Sequence, residues 1–148
     1  MEMENIISQN SSTYSRYLIG KVRHYMNRAR QNELRPYDIS PRQATVLFIL
    51  HSLGHKSTLA ELSKHSDRQI NTLSQQITRM EKNGLVRKVR QTPKSALINF
   101  ELTEKGSQIY NKSIEENSVE RIMSALTESE RQQLISLLKK IATAAEKY

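Results

Sequence analysis

Arg68, Asn71, Thr72, Gln75 and Arg79 fall on one arc of a segment whose opposite arc holds Ile70, Leu73, Ile77 and Met80, if the residues advance by about 100° each as in an α-helix. The polar set is the side-chain vocabulary that reads base edges. Asn and Gln pair with adenine, Arg with guanine, and Thr bonds either purine or packs on a thymine methyl. Gln69, at the predicted start of the helix, belongs with them. No acid stands between Asp67 and Met80. A helix that is merely soluble more often carries Glu and Lys pairs, whereas a helix entering a phosphate-lined groove must keep carboxylates off its face. Chance also produces acid-free polar faces, so the chemistry needs support from the neighbouring segments.

That support lies just downstream. LVRKVR and ALINFEL have the alternation of strands, and QTPKS between them places Pro93 in a turn. The result is a β-hairpin whose Arg87, Lys88, Arg90 and Lys94 could follow a phosphate backbone or reach a minor groove. Upstream, Thr58-Leu59-Ala60-Glu61 is a capping box that opens a short helix to about His65. A short helix, a tight turn, the polar helix ending near Asn83 and a basic hairpin make a winged helix-turn-helix. Gly84 is placed to end the polar helix in a left-handed conformation.

Other constellations carry less. His51 and His55 have the i,i+4 spacing of helical metal ligands, but Gly54 lies between them and no Cys or nearby acid completes a set, so no metal is expected. Tyr14, Tyr17, His24 and Tyr25 cluster on the first long helix. Aromatic residues at helical spacing are mostly core or interface. The functional alternative is a pocket in which Tyr17, His24, Tyr25 and Arg42 receive a small planar phenolic or carboxylate effector. No cofactor is expected. There is no nucleophile motif, no glycine-rich phosphate loop and no Cys, and the chain has only four glycines, which points away from an enzyme.

The framework around these residues reads as helices. From about Asn5 to Asn32, Tyr14, Leu18, Val22, Tyr25 and Ala29 form an amphipathic stripe, and Pro36 ends it. Ser40-Pro41-Arg42-Gln43 is a helix start, and the apolar run ATVLFILHSL predicts a buried central helix ended by Gly54. After the hairpin, Thr103 caps a helix in which Gly106 looks like a weak point, and a stripe runs from Ile109 through Leu126. Thr127-Glu128-Ser129-Glu130 opens a last helix carrying Leu134, Leu138 and Ile141.

The formal net charge of +8 and pI near 9.8 favour a polyanionic partner. Only 36% of the 148 residues are hydrophobic, which suggests much surface, an elongated shape or a core shared with a second copy. The lack of Cys excludes disulfides and thiolate chemistry and fits a cytoplasmic location. No apolar run spans a bilayer, and MEMENIISQNSST is too acidic and polar for a signal peptide. No membrane partner is expected.

Between Ser57 and Gly106 the strings TLAELSKHS, INTLSQQITRMEKNGLV and FELTEKG stand in order. Met80-Glu81-Lys82-Asn83-Gly84-Leu85-Val86 and Leu102-Thr103-Glu104-Lys105-Gly106 flank the basic hairpin. In these strings the sequence resembles the MarR family of bacterial transcriptional regulators, and the flanking helices match the family's order. The resemblance implies a homodimer whose first and last helices interlock with the partner's. Two winged lobes would then read a palindromic site on double-stranded DNA, usually as a repressor that a small molecule releases. One departure is clear. Family wings commonly carry Asp-x-Arg at the tip, and here the tip is Gln91-Thr92-Pro93-Lys94-Ser95. Lys94 or Arg90 must supply any equivalent contact.

The expected architecture is mainly α with a small β-hairpin wing. Residues 40–103 form the winged helix-turn-helix, and residues 1–39 with 104–148 form a helical dimerisation region. The competing readings are a nucleoid-like or RNA-binding protein held by charge alone, and a winged-helix module that binds protein.

Overall fold

A computed structural model of the chain describes residues 10–115 and 117–148. Part of the predicted first helix, residues 5–9, and most of the N-terminal string lie outside them. Helix α1 spans Ser11–Leu34 and passes into a 3-10 turn, Arg35–Tyr37. Asp38 takes a left-handed conformation (φ 54°) and turns the chain into the next helix. Helix α2, Pro41–Ser52, starts as its sequence predicts: the Ser40 hydroxyl accepts from the Gln43 N–H, and the Gln43 side chain accepts from the Ser40 N–H. Val46, Leu47 and Leu50 are fully buried, but Phe48 is 55% exposed. The predicted all-round burial of α2 therefore fails on the side of Thr45, Phe48 and Ser52. The α2 helix ends in a Schellman motif, with Gly54 at φ 77° and the His55 N–H donating to the Leu50 carbonyl.

Lys56–Thr58 then forms a strand, β1, that the sequence did not disclose. Three residues cannot show an alternation; only the buried Ser57 between exposed Lys56 and half-buried Thr58 reveals it. Helix α3 is Leu59–Ser66 and helix α4 is Ile70–Lys82. Strand β2, Val86–Arg90, and strand β3, Ile98–Leu102, form the predicted hairpin. The sheet order is β1-β3-β2, antiparallel throughout, with Ser57 opposite Phe100 and Val86 opposite Leu102. The third strand anchors the base of the wing to the end of α2.

Helix α5, Glu104–Glu115, follows directly. Thr103 holds the junction together. Its hydroxyl accepts from the Gly106 N–H and donates to the Gly84 carbonyl, while its own N–H bonds the Leu85 carbonyl. Gly106 is not a weak point. A Cβ there would lie 2.1 Å from the Leu85 oxygen, so glycine is what lets α5 touch the exit of α4. The stripe from Ile109 to Leu126, read as one helix, is interrupted. Asn117 caps a separate helix α6, Ser118–Met123, by accepting from the Glu120 N–H.

Packing divides the chain into two units. One is Arg30–Glu116; the other is Met1–Ala29 with Asn117–Tyr148. The core of the first joins Leu34, Leu47, Leu50, Leu62, Leu73, Ile77, Met80 and Leu85, each almost wholly buried, and each such side chain contributes roughly 1.5–3 kcal/mol. Arg30 pairs with Glu33 and donates to the Ser113 carbonyl, which ties the end of α1 to the last turn of α5. In the second unit, helix α7, Glu128–Ala145, begins at the predicted capping box of Thr127 and Glu130. Arg131 links α7 to the Met123 carbonyl and Glu120. The apolar faces of both long helices are open in the single chain. Tyr17, Val22 and Tyr25 on α1, and Leu137 and Ile141 on α7, are each about half exposed.

Candidate nucleic-acid interface

Helix α4 is fixed by one face. Leu73, Ile77 and Met80 are at most 1% exposed, and this leaves Asn71, Thr72, Gln75 and Arg79 on the open side. Ile70, placed on the buried arc by the sequence, is 50% exposed at the first turn. Arg68 lies in the turn before α4 rather than on it. Asp67 takes φ 51°, the Arg68 N–H bonds the Ser63 carbonyl, and the Ser63 hydroxyl donates to the Arg68 carbonyl. The turn between α3 and α4 is therefore held through both backbone groups of Arg68. Gln69 is the N-cap residue of α4 and its side chain makes no capping bond. The first N–H groups of α4 consequently face outwards without a side-chain acceptor, as an anion-facing helix start allows.

The C-terminal end of α4 sets the wing. Gly84 at φ 73° allows the Leu85 N–H to reach the Met80 carbonyl, a Schellman end from which the chain leaves directly into β2. Lys105 donates to the Asn83 carbonyl, and Thr103 to that of Gly84. The two short strings flanking the hairpin in sequence thus meet at one junction, and that junction fixes the angle between α4 and the wing.

On the wing, Arg87 is not an unopposed cation. Its guanidinium bonds Glu101 on β3 at 3.0 and 3.2 Å across the directly paired position. Arg90 donates to the Ser95 carbonyl and so braces the turn. Lys88 and Lys94 are exposed. Glu61, in the cap of α3, is held below the usual carboxylate range chiefly by the Thr58 N–H and then by the Ser57 hydroxyl.

The start of α2 lies against α4. Ser40, Arg42 and Gln43 on one side and Thr72, Gln75, Gln76 and Arg79 on the other enclose a groove of about 360 Å³. The sequence does not join Arg42 to the polar residues of α4. They are some thirty positions apart, and no local pattern signals the approach. Tyr17, His24 and Tyr25 belong to the other packing unit. There Tyr17 stacks on Tyr14 and His24 meets Tyr25 edge-on. His51 packs between His55 and Tyr110 with ring centroids 4.9 and 4.4 Å away. Among the described residues no group of three or more His, Cys, Asp or Glu could hold a metal, and no helix is long and apolar enough to cross a membrane.

Residues 39–92, which hold α2, β1, α3, α4, β2 and the turn beyond it, match the sequence profile of the MarR family. Over these residues the chain is similar to MarR-family proteins. None of the curated proteins compared with the chain matches it. Solved structures match over most of its length. The organohalide-sensing RdhR transcriptional regulator superposes with a TM-score of 0.77 at 25% identity, over 97% of this chain and 82% of that one, in both ligand-free and 2,4-dichlorophenol-bound forms. A variant of MarR from E. coli in complex with operator DNA gives 0.79 at 24% identity, over 89% and 96%. The MepR–DNA complex from S. aureus gives 0.77 at 23%, over 87% and 96%. The mainly helical fold with a small β wing is thus that of MarR-family structures. The matched residues contain the whole of α4 and every residue that lines the groove.

Proposed function

We propose that the chain is a sequence-specific, DNA-binding transcriptional regulator that works in the cytoplasm as a homodimer on a palindromic site, and that it is not an enzyme. The observation that carries this reading is the exposed face of α4. Asn71, Thr72, Gln75 and Arg79 project from a helix whose other face is locked into the core. Uncharged donors such as Asn and Gln add little to charge-driven affinity, so they argue for reading rather than coating. Lys88, Arg90 and Lys94 supply backbone contacts from the wing, and Arg87 does so with its charge partly offset by Glu101. Arg68 and Gln69 add contacts where the chain enters α4.

Repression relieved by a small planar effector is the regulatory part of the proposal. The dichlorophenol-bound RdhR structure supports it. In this chain the exposed aromatic residues Tyr17, His24 and Tyr25 are the candidates for such a ligand. The open faces of α1 and α7 support dimerisation, since apolar stripes of that length are rarely left in water.

Selection of bound sequences from a randomised duplex pool tests the reading. The parent protein should enrich a two-fold symmetric site, and Gln75→Ala should lose preference at one base pair per half-site, at a cost of roughly 1–3 kcal/mol there. Enrichment of no sequence at all would leave the charge-driven coat protein as the better reading.

A further inference from the structure

The groove between α2 and α4 has an unusual lining for a basic protein. Arg42 and Arg79 line it together with five uncharged polar residues. No acidic residue and no apolar residue lines it. Three other arginines are paired with a carboxylate: Arg30 with Glu33, Arg87 with Glu101 and Arg131 with Glu120. Among the described residues, Arg42 and Arg79 have no ion pair and no hydrogen bond from their side chains. The Gln76 side-chain nitrogen, on the same wall, is buried without an acceptor. A concave surface with two unpaired cations and no carboxylate is suited to receive an oxyanion.

We infer that this groove holds a phosphodiester of the DNA backbone, with Arg42 as the residue that fixes the depth and angle at which α4 enters the major groove. The inference rests on the proposed function and adds a residue and a contact to it. Geometry favours a backbone phosphate as the oxyanion. Thr72, Gln75 and Arg79 belong both to the groove wall and to the open face of α4, so a groove occupant lies immediately beside whatever α4 touches. A helix lying in a major groove about 12 Å wide is flanked by the sugar–phosphate strands. The Thr72–Arg79 flank of α4, with α2 rising beside it, is where one strand must pass. The capped start of α2 adds the positive end of its dipole to the same spot. Arg42 then anchors register without reading sequence, which separates its role from that of Gln75.

Two variants test this on the full-length protein, with binding to a selected site and to an unrelated duplex measured across a salt series. Arg42→Gln should weaken both DNAs by the same factor and reduce the slope of log affinity against log salt by about one unit, the signature of one lost phosphate contact. Its preferred sequence should not change, and its thermal melt should match the parent's. Arg42→Lys should restore the slope while recovering only part of the affinity, since a lysine keeps the charge but not the bidentate fork. An unchanged slope in Arg42→Gln overturns the inference, as does a shift in base preference. An unchanged slope accompanied by lost sensitivity to added inorganic phosphate would assign the groove to a free anion instead. If the parent itself prefers no sequence, the proposed regulator fails, but the slope difference still decides whether Arg42 meets phosphate.

Discussion

Gly84 and Gly106 are the residues on which the recognition geometry turns, for different reasons. Gly84 needs its left-handed backbone, and alanine there should cost about 1–2 kcal/mol. Gly106 has ordinary helical geometry but no room, because a methyl group would meet the Leu85 carbonyl at 2.1 Å. Backbone cannot rotate away as a side chain can, so Gly106→Ala should cost roughly 1–3 kcal/mol and tilt the wing. Urea unfolding of both variants checks the costs, and DNA affinity should fall further than stability alone predicts. A Gly106→Ala protein as stable as the parent would show that α5 is not pressed against the α4 exit. At the wing tip, Lys94→Ala should weaken every DNA sequence alike, because an exposed ammonium meets phosphate without direction. A loss confined to sites with AT-rich flanks, measured by anisotropy, would show instead that the lysine reads the minor groove.

Among the elements, those with strong local signals were legible in the sequence. The capping boxes at Ser40, Thr58 and Thr127, the glycine stop at Gly84 and the alternation of Ile98, Phe100 and Leu102 all follow from contacts within four residues or within one strand. What escaped depends on partners distant in the chain. The strand Lys56–Thr58 exists only because β3 offers it an edge, and the Arg87–Glu101 pair exists only because of that register. The pairing has a consequence for the wing. Glu101→Gln should free Arg87 and strengthen binding to all DNA sequences at low salt, by several-fold rather than by orders of magnitude, as expected for an exposed ion pair. Equal affinity in a filter or anisotropy assay would show that Arg87 does not approach DNA. Helix α3 should respond to acid. Its Glu61 carboxyl titrates below the usual range, so the contribution of the cap is complete at neutral pH and is lost as pH falls through the lowered value. Glu61→Gln should remove that pH dependence, and carboxyl shifts followed by NMR from neutral pH to about pH 3 would show it.

At the scale of the whole molecule, the open apolar faces of α1 and α7 are the largest unexplained feature of the single chain. A homodimer explains them. Leu137 and Ile141 lie one turn apart on α7, and replacing both with Glu should produce monomers by sedimentation and abolish high-affinity binding to a two-half-site duplex. The composition is consistent with this, since 36% hydrophobic residues is little for a self-sufficient domain of this size and a shared core is one way to meet it. The central claim, that the chain reads sequence rather than charge, is tested most directly by fluorescence anisotropy across a salt series. The ligands are DNA from immediately upstream of the protein's own gene and a scrambled duplex of equal length. The proposed regulator predicts tight binding of the upstream DNA at two subunits per duplex, with a preference over the scrambled duplex that persists at moderate salt. Equal affinity for both, collapsing together as salt rises, would contradict it.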